Sequence, residues 1–149
     1  MQTRTMRLRE LTIRYTVKRC RDGTPALVMP YVRNPSHCAA TLIRLLEDEP
    51  SEVFAIVCLN TKLRVLAYHE VSRGSLDSSL AHPREVFRAA ILTNAAGIIL
   101  VHNHPSGDPS PSAEDLALTH RLRAVGTVLG IEVLDHLVVG DGQYYSFKE

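Results

Sequence analysis

The sequence predicts a single α/β (α+β) domain, a mixed β-sheet sandwiched by helices. Segments of strand period and helix period are interspersed along the chain, the pattern of layered α/β folds rather than of all-α or all-β ones. An unbroken apolar run, Ile98-Ile99-Leu100-Val101, reads as a strand covered on both faces. At 149 residues, 45% hydrophobic and 22% charged, the chain is about one domain long and in the ordinary globular range.

Taken in order, LTIRYTVKR alternates Leu11, Ile13, Tyr15 and Val17 with polar residues, Asp22-Gly23 offers a turn, and ALVMPYV is a second apolar run. Together these predict an N-terminal hairpin, with Pro30 placing its second strand at an edge. From Ser36 the apolar residues Ala39, Leu42, Ile43, Leu45 and Leu46 recur three and four apart as far as EDEP, predicting a helix over 36–48. EVFAIVCLN is short and β-branched and reads as a buried strand, with LRVLAYHEVSRG pairing back on it. In AHPREVFRAAILTNAAG a proline near the first turn and a closing Gly97 delimit a second helix. That helix leads into the strand GIILVHNH. A third helix is expected from Ser112 to about Val128, with Glu114 and Asp115 in its first turn and Gly130 after its end. IEVLDHLVVGDGQYYSF then supplies two strands around a Gly-Asp-Gly turn, so the expected order is ββαββαβαββ.

The division expected is an N-terminal basic β-hairpin arm over 1–35, part of or packed on the domain, and a main domain over 36–149. Net charge is +1, yet residues 1–21 hold seven cations (Arg4, Arg7, Arg9, Arg14, Lys18, Arg19, Arg21) against Glu10. Such an arm can be a nucleic-acid footprint. The favoured reading is a charge-protected edge strand, because no aromatic residue interleaves with the charges before Tyr15. Cys20, Cys38 and Cys58 form no C-x-x-C pair and read as reduced, small apolar side chains. No apolar run approaches the ~20 residues that span a bilayer, and the first residues lack a signal-peptide pattern, so no membrane partner and a cytoplasmic location are the default expectations.

Chemistry concentrates in HNHPSGDPSPSAED, residues 102–115. Residues two apart on an extended strand project to one face, so His102 and His104 can aim two imidazoles at one point. The proline-rich loop 105–111 can turn the chain back and bring Asp115 to a third ligand position. Two histidines and one carboxylate leave the fourth tetrahedral position to water, as catalytic rather than structural zinc sites do. One Zn2+ per chain is expected.

His102-x-His104, seven residues, Ser112, two residues and Asp115 together resemble the JAMM motif of JAB/MPN metalloproteases. LNTKLRVL, SRGSLDSSLAHPREVFRAAI and VHNHPSGDPSPSAED are similar to the RadC-like branch of that family, and the likeness covers about residues 50–149. The resemblance implies a JAB/MPN-like (cytidine-deaminase-like) fold; the chain departs from the RadC-like pattern upstream, where a helix-hairpin-helix region would stand, so a short stand-alone form lacking that region is expected. The activity it implies is zinc-dependent hydrolysis of an amide or isopeptide bond in a protein or peptide substrate. It also implies a glutamate general base at the start of an early strand, where Glu52 stands, and an oxyanion- or water-orienting hydroxyl at Ser112. Ser112 equally suits a helix N-cap. Glu47, Asp48 and Glu49 read as a solvated helix end, whereas Glu70 and Glu85 remain alternative bases. Asp108 is a candidate acceptor for a ligand N–H, and His82, His120 and His136 are read as structural. The alternatives from other classes are a DNA-associated repair-type protein and a non-catalytic interaction module whose metal shell is closed by a fourth protein ligand.

Overall fold

The computed structural model describes residues 6–74 and 81–148; Arg4 and the middle of SRGSLDSSLAHP lie outside them. Its elements are α1 (Ser36–Leu46), β1 (Glu52–Leu59), β2 (Val65–Gly74), α2 (Pro83–Leu92), β3 (Gly97–Asn103), α3 (Ala113–Leu129), β4 (Glu132–Gly140) and β5 (Gln143–Ser146). The strands form one mixed sheet in the order β2-β1-β3-β4-β5. β1 is antiparallel to β2 and β3, β3 is parallel to β4 across the α3 connection, and β4 and β5 form an antiparallel hairpin.

Each central strand is apolar on both sides because helices cover both. On one face Leu42 and Leu46 of α1 pack on Val53, Ala55, Ile99 and Val101. On the other, Phe87 of α2 and Leu122 of α3 pack on Ile56, Ile98 and Leu100. Every residue of β3 is buried, as its unbroken apolar run requires. All three cysteines are free and buried, and burial pushes the Cys38 thiol up to about 12. No helix among the described residues is long and apolar enough to cross a membrane.

Three expectations need correction. Among the described residues no named strand precedes α1. The N-terminal hairpin shrinks to an Arg19–Pro25 bridge, closed by Ala26 N–H donating to the Lys18 carbonyl (2.8 Å). Leu11 and Val17 remain 77% and 67% exposed: a lone two-stranded ribbon with no layer to pack on is marginal, and Pro25 and Pro30 withhold two ladder donors. Pro30 does lie beside the sheet, accepting from Val65 N–H at 2.9 Å while Tyr31 bridges Arg64. Second, the C-cap of α2 is Thr93, and Asn94, at φ 61°, turns the chain. Gly97 is thus not a helix stop but the first residue of β3. Third, α1 ends at Leu46 rather than at 48.

Of the basic arm, Lys18 lies over the Tyr68 ring (5.4 Å), Arg19 donates to the Gly23 carbonyl (2.9 Å) and Arg21 to the Asp48 carbonyl (3.1 Å).

Candidate metal centre

β3 delivers the first two groups of the site. His102 is fully buried near the end of that strand. The pairing with β4 continues one residue further, through His104 N–H to the Val139 carbonyl (2.9 Å), so the backbone stays extended there. The two imidazoles therefore share a face, with their Nε2 atoms 3.0 Å apart.

The following loop folds back tightly. Gly107 N–H donates to the His104 carbonyl (2.9 Å), and Gly107 adopts φ 88°, a left-handed conformation that costs glycine little. It lies against Gly140 at the end of β4, where a Cβ would come within 2.6 Å of the Gly107 carbonyl oxygen. The His104 Nδ1–H points at the Asp108 carbonyl (2.8 Å). Because a carbonyl can only accept, the neutral ring directs its Nε2 lone pair into the cluster. Asp108 thus accepts from the His104 ring through its main-chain oxygen, while its carboxylate accepts from Ser110 N–H (2.9 Å).

The loop ends in a capping box. Ser112 Oγ accepts from Asp115 N–H (3.1 Å), and Asp115 Oδ2 accepts from Ser112 N–H (2.8 Å). This reciprocal bond orients the Asp115 carboxylate. Its Oδ1 is 3.1 Å from His102 Nε2 and its Oδ2 is 3.0 Å from His104 Nε2. Burial opposes the Asp115 charge, but His102 and His104, which donate to it from Nε2 when protonated, outweigh it and hold the carboxyl well below the usual carboxylate range. Conversely, the Asp115 hydrogen bond raises the His104 pKa above its ordinary value.

Glu52 arrives from fifty residues earlier. In the antiparallel register Phe54 stands opposite His102, and Glu52, two residues before Phe54, shares its face. Glu52 Oε1 is 3.6 Å from His102 Nε2. Each of Glu52, His102, His104 and Asp115 offers one ligand atom, and all four atoms lie within 4.8 Å of one another. Glu70 is instead bound by Arg73 (2.7 Å) and Glu85 by Arg88 (3.2 Å). Glu47 and Asp48 are exposed as expected, but Glu49 is held by Arg73 (2.5 Å).

The donor set fits a metal ion. For tetrahedral zinc with ligand distances near 2.0–2.1 Å, neighbouring donors lie roughly 3.3 Å apart, and the His102, His104 and Asp115 atoms are separated by 3.0–3.1 Å. Nitrogen lone pairs facing each other and a carboxylate at such distances repel, and a shared cation converts that repulsion into ligation.

Two residues escaped sequence reasoning. Asn103 faces away from the histidines. Its Oδ1 accepts from Val53 N–H (2.7 Å) and its Nδ2 donates to the Ser51 carbonyl (3.0 Å), tying the start of β1, and so Glu52, to the end of β3. His136, fully buried, contacts His102 through a side-chain hydrogen bond of 2.7 Å. The signal for it was the parallel pairing that sets Leu100 beside His136, which no local pattern reveals. His82 caps α2 by accepting from Arg84 N–H (3.1 Å) and His120 is exposed on α3.

An α/β domain with two histidines and two carboxylates gathered beside the end of a central strand defines the class: a domain whose side-chain cluster could bind a metal, as fits a metal-dependent hydrolase. The chain belongs to the RadC-like JAB domain family, which it matches over residues 32–149. It is 56% identical over 118 residues to a UPF0758 protein of Moorella thermoacetica, covering 79% of this chain and 52% of that protein. A UPF0758 protein of Alkaliphilus metalliredigens is 51% identical over 118 residues, covering 79% and 51%. One from Desulfitobacterium hafniense is 50% identical over 123 residues, covering 83% and 54%. The chain thus spans about half the length of these curated relatives.

Proposed function

We propose that this domain is a zinc-dependent hydrolase that uses water to cleave an amide or isopeptide bond in a protein or peptide, with Glu52 as general base. The observation that carries the reading is the meeting of Glu52 with His102, His104 and Asp115 in one cluster, although Glu70 and Glu85 compete for the same role in sequence. His102, His104 and Asp115 would hold the ion. Zinc suits their two nitrogens and one oxygen, and when bound it supplies a Lewis acid that lowers the pKa of water toward neutrality. Glu52 accepts the proton of the attacking water at a carboxylate oxygen and returns it to the leaving amine. Ser112 uses an Oγ lone pair for capping, which does not consume its hydroxyl hydrogen, so the same group can donate to a developing oxyanion.

The test is Glu52→Gln, which preserves shape but cannot accept the proton. Zinc-loaded wild type and variant are compared for new amine termini released from a peptide and isopeptide library. Zinc content and melting should match wild type while hydrolysis falls by ~100-fold or more. A variant that hydrolyses like wild type removes Glu52 from the mechanism.

A further inference from the structure

Behind His102, on the side away from Asp115, runs a chain of three buried groups. Thr119 lies one turn beyond Asp115 on α3, and its Oγ1 is 2.7 Å from the Asp115 carbonyl oxygen and 2.6 Å from His136 Nδ1. His136 Nε2 is 2.7 Å from His102 Nδ1. Thr119, His136 and His102 are each no more than 2% exposed, so water does not offer these atoms other partners.

The directions of these bonds follow from their ends. Between a hydroxyl and a carbonyl oxygen at 2.7 Å only the hydroxyl can donate, so the single hydrogen of Thr119 goes to Asp115. At 2.6 Å His136 must then donate its Nδ1–H to Thr119 Oγ1. A neutral imidazole with a proton on Nδ1 has a lone pair on Nε2, so His102 donates its Nδ1–H to His136. His102 in turn presents an unprotonated Nε2 to Asp115, His104 and Glu52. The reverse set of bonds would set two oxygens without a proton 2.7 Å apart on α3. The His136 ring is further clamped by Phe147 stacked on it (4.8 Å between centroids) and by the edge-on Phe54 ring (5.8 Å).

We propose that His136 is a positioning residue for the metal centre: the Thr119–His136–His102 chain fixes His102 in its Nδ1–H tautomer and aims its Nε2 lone pair at the ion. The inference rests on the reading of the cluster as a metal site. It gives the two ligand rings matching supports, a main-chain carbonyl behind His104 and a second imidazole behind His102. A partner that fixes tautomer and ring orientation is worth about 10- to 100-fold in metal affinity.

Two measurements separate this inference from the metal assignment. In the metal-free, 15N-histidine-labelled wild type at about pH 8, long-range 1H–15N correlation should show the His102 proton on Nδ1; a proton on Nε2 overturns the proposal whatever the metal does. Zinc affinity is then measured by chelator competition for wild type, His136→Leu, Thr119→Val and His136→Gln, with circular dichroism and melting as controls. His136→Leu, which has no acceptor, should bind zinc at least 10-fold more weakly. Thr119→Val, which frees the His136 tautomer, should weaken binding less. His136→Gln, whose amide oxygen can accept from His102 and whose NH2 can donate to Thr119, should recover most of the affinity. Should His136→Leu fail to fold, the Thr119→Val and Gln variants decide. Equal affinities across the folded variants overturn the positioning role, and a wild type that binds no zinc overturns the metal reading and this role with it.

Discussion

Asn103 offers the sharpest test of how the fold positions the site. Its side chain substitutes for a missing piece of ladder: Val53 is fully buried, and its N–H is satisfied by Asn103 Oδ1 at 2.7 Å. In Asn103→Ala that donor is orphaned, at about 1–3 kcal/mol, and the 3.0 Å bond to the Ser51 carbonyl is lost at about 1 kcal/mol more. The 3.4 Å approach to the Glu49 carbonyl adds little. The sum, about 2–4 kcal/mol, corresponds to a Tm lower by roughly 4–16 °C for a domain of this size. Asn103→Asp keeps the acceptor for Val53 but turns a carboxylate oxygen toward the Ser51 carbonyl. The folded state then favours the protonated acid, whose O–H can donate there, and the folded pKa rises above the unfolded ~3.9. The folded state binds more protons, so stability relative to wild type falls as pH rises from about 4 through the raised pKa, and is regained on acidification. Urea unfolding of metal-free wild type and both variants between pH 4 and pH 8 reads both effects. An alanine variant melting within about a degree of wild type, or an aspartate variant with no pH-dependent difference, would refute the assignment of Asn103 as the tie between β1 and β3.

Three further outcomes follow from the site. Metal analysis should find about one zinc per chain, lost in His104→Ala. Because the Asp115 bond raises the His104 pKa above 6.5 while Asp115 itself stays ionised, protons compete at the imidazole, and affinity should fall as pH drops through and below that raised value. Stoichiometric zinc in a His102→Ala/His104→Ala double variant would sink the ligand set. Ser112→Ala removes the α3 cap and should cost ~1 kcal/mol in thermal unfolding. If its hydroxyl also serves the reaction, turnover drops further with zinc retained, whereas a variant of full activity confines Ser112 to capping. Gly140→Ala should displace the Gly107 loop, since the added Cβ would lie 2.6 Å from its carbonyl oxygen. The expected readout is a weaker zinc affinity as His104 loses its Asp108 partner, and unchanged affinity would show that the loop does not hold His104.

Local chemistry was legible wherever it was written in neighbouring residues. Apolar spacing marked α1 and apolar runs marked β1 and β3, because a face that must be buried repeats at the period of its own backbone, while cap and turn residues delimited α2, α3 and the β4–β5 hairpin. The spacing of His102, His104, Ser112 and Asp115 likewise encodes a strand end, a loop and a helix cap, all within fourteen residues. The failures share a cause. LTIRYTVKR has the alternation of a strand, but a strand forms only when a partner and a packed layer are present, and here its apolar residues stay in solvent. At Asn94 a left-handed residue ends the turn that Gly97 had suggested.

What only the tertiary structure decided is what distant segments do to one another. Sequence favoured Glu52 only through a resemblance and left Glu70 and Glu85 open, and β1 pairing antiparallel beside β3 brings Glu52 to the cluster while Arg73 and Arg88 engage the other two. Asn103 read only as one more residue of the strand GIILVHNH and His136 as a structural histidine, until the sheet order set one against Val53 and the other behind His102. Sequence by itself determined which groups could ligate and the local backbone that carries them, because those depend on side-chain chemistry and on contacts a few residues long. Register between strands fifty residues apart, and the hydrogen-bond partners buried with it, depend on how the whole apolar surface is packed, and so were settled only when the sheet closed between its helices.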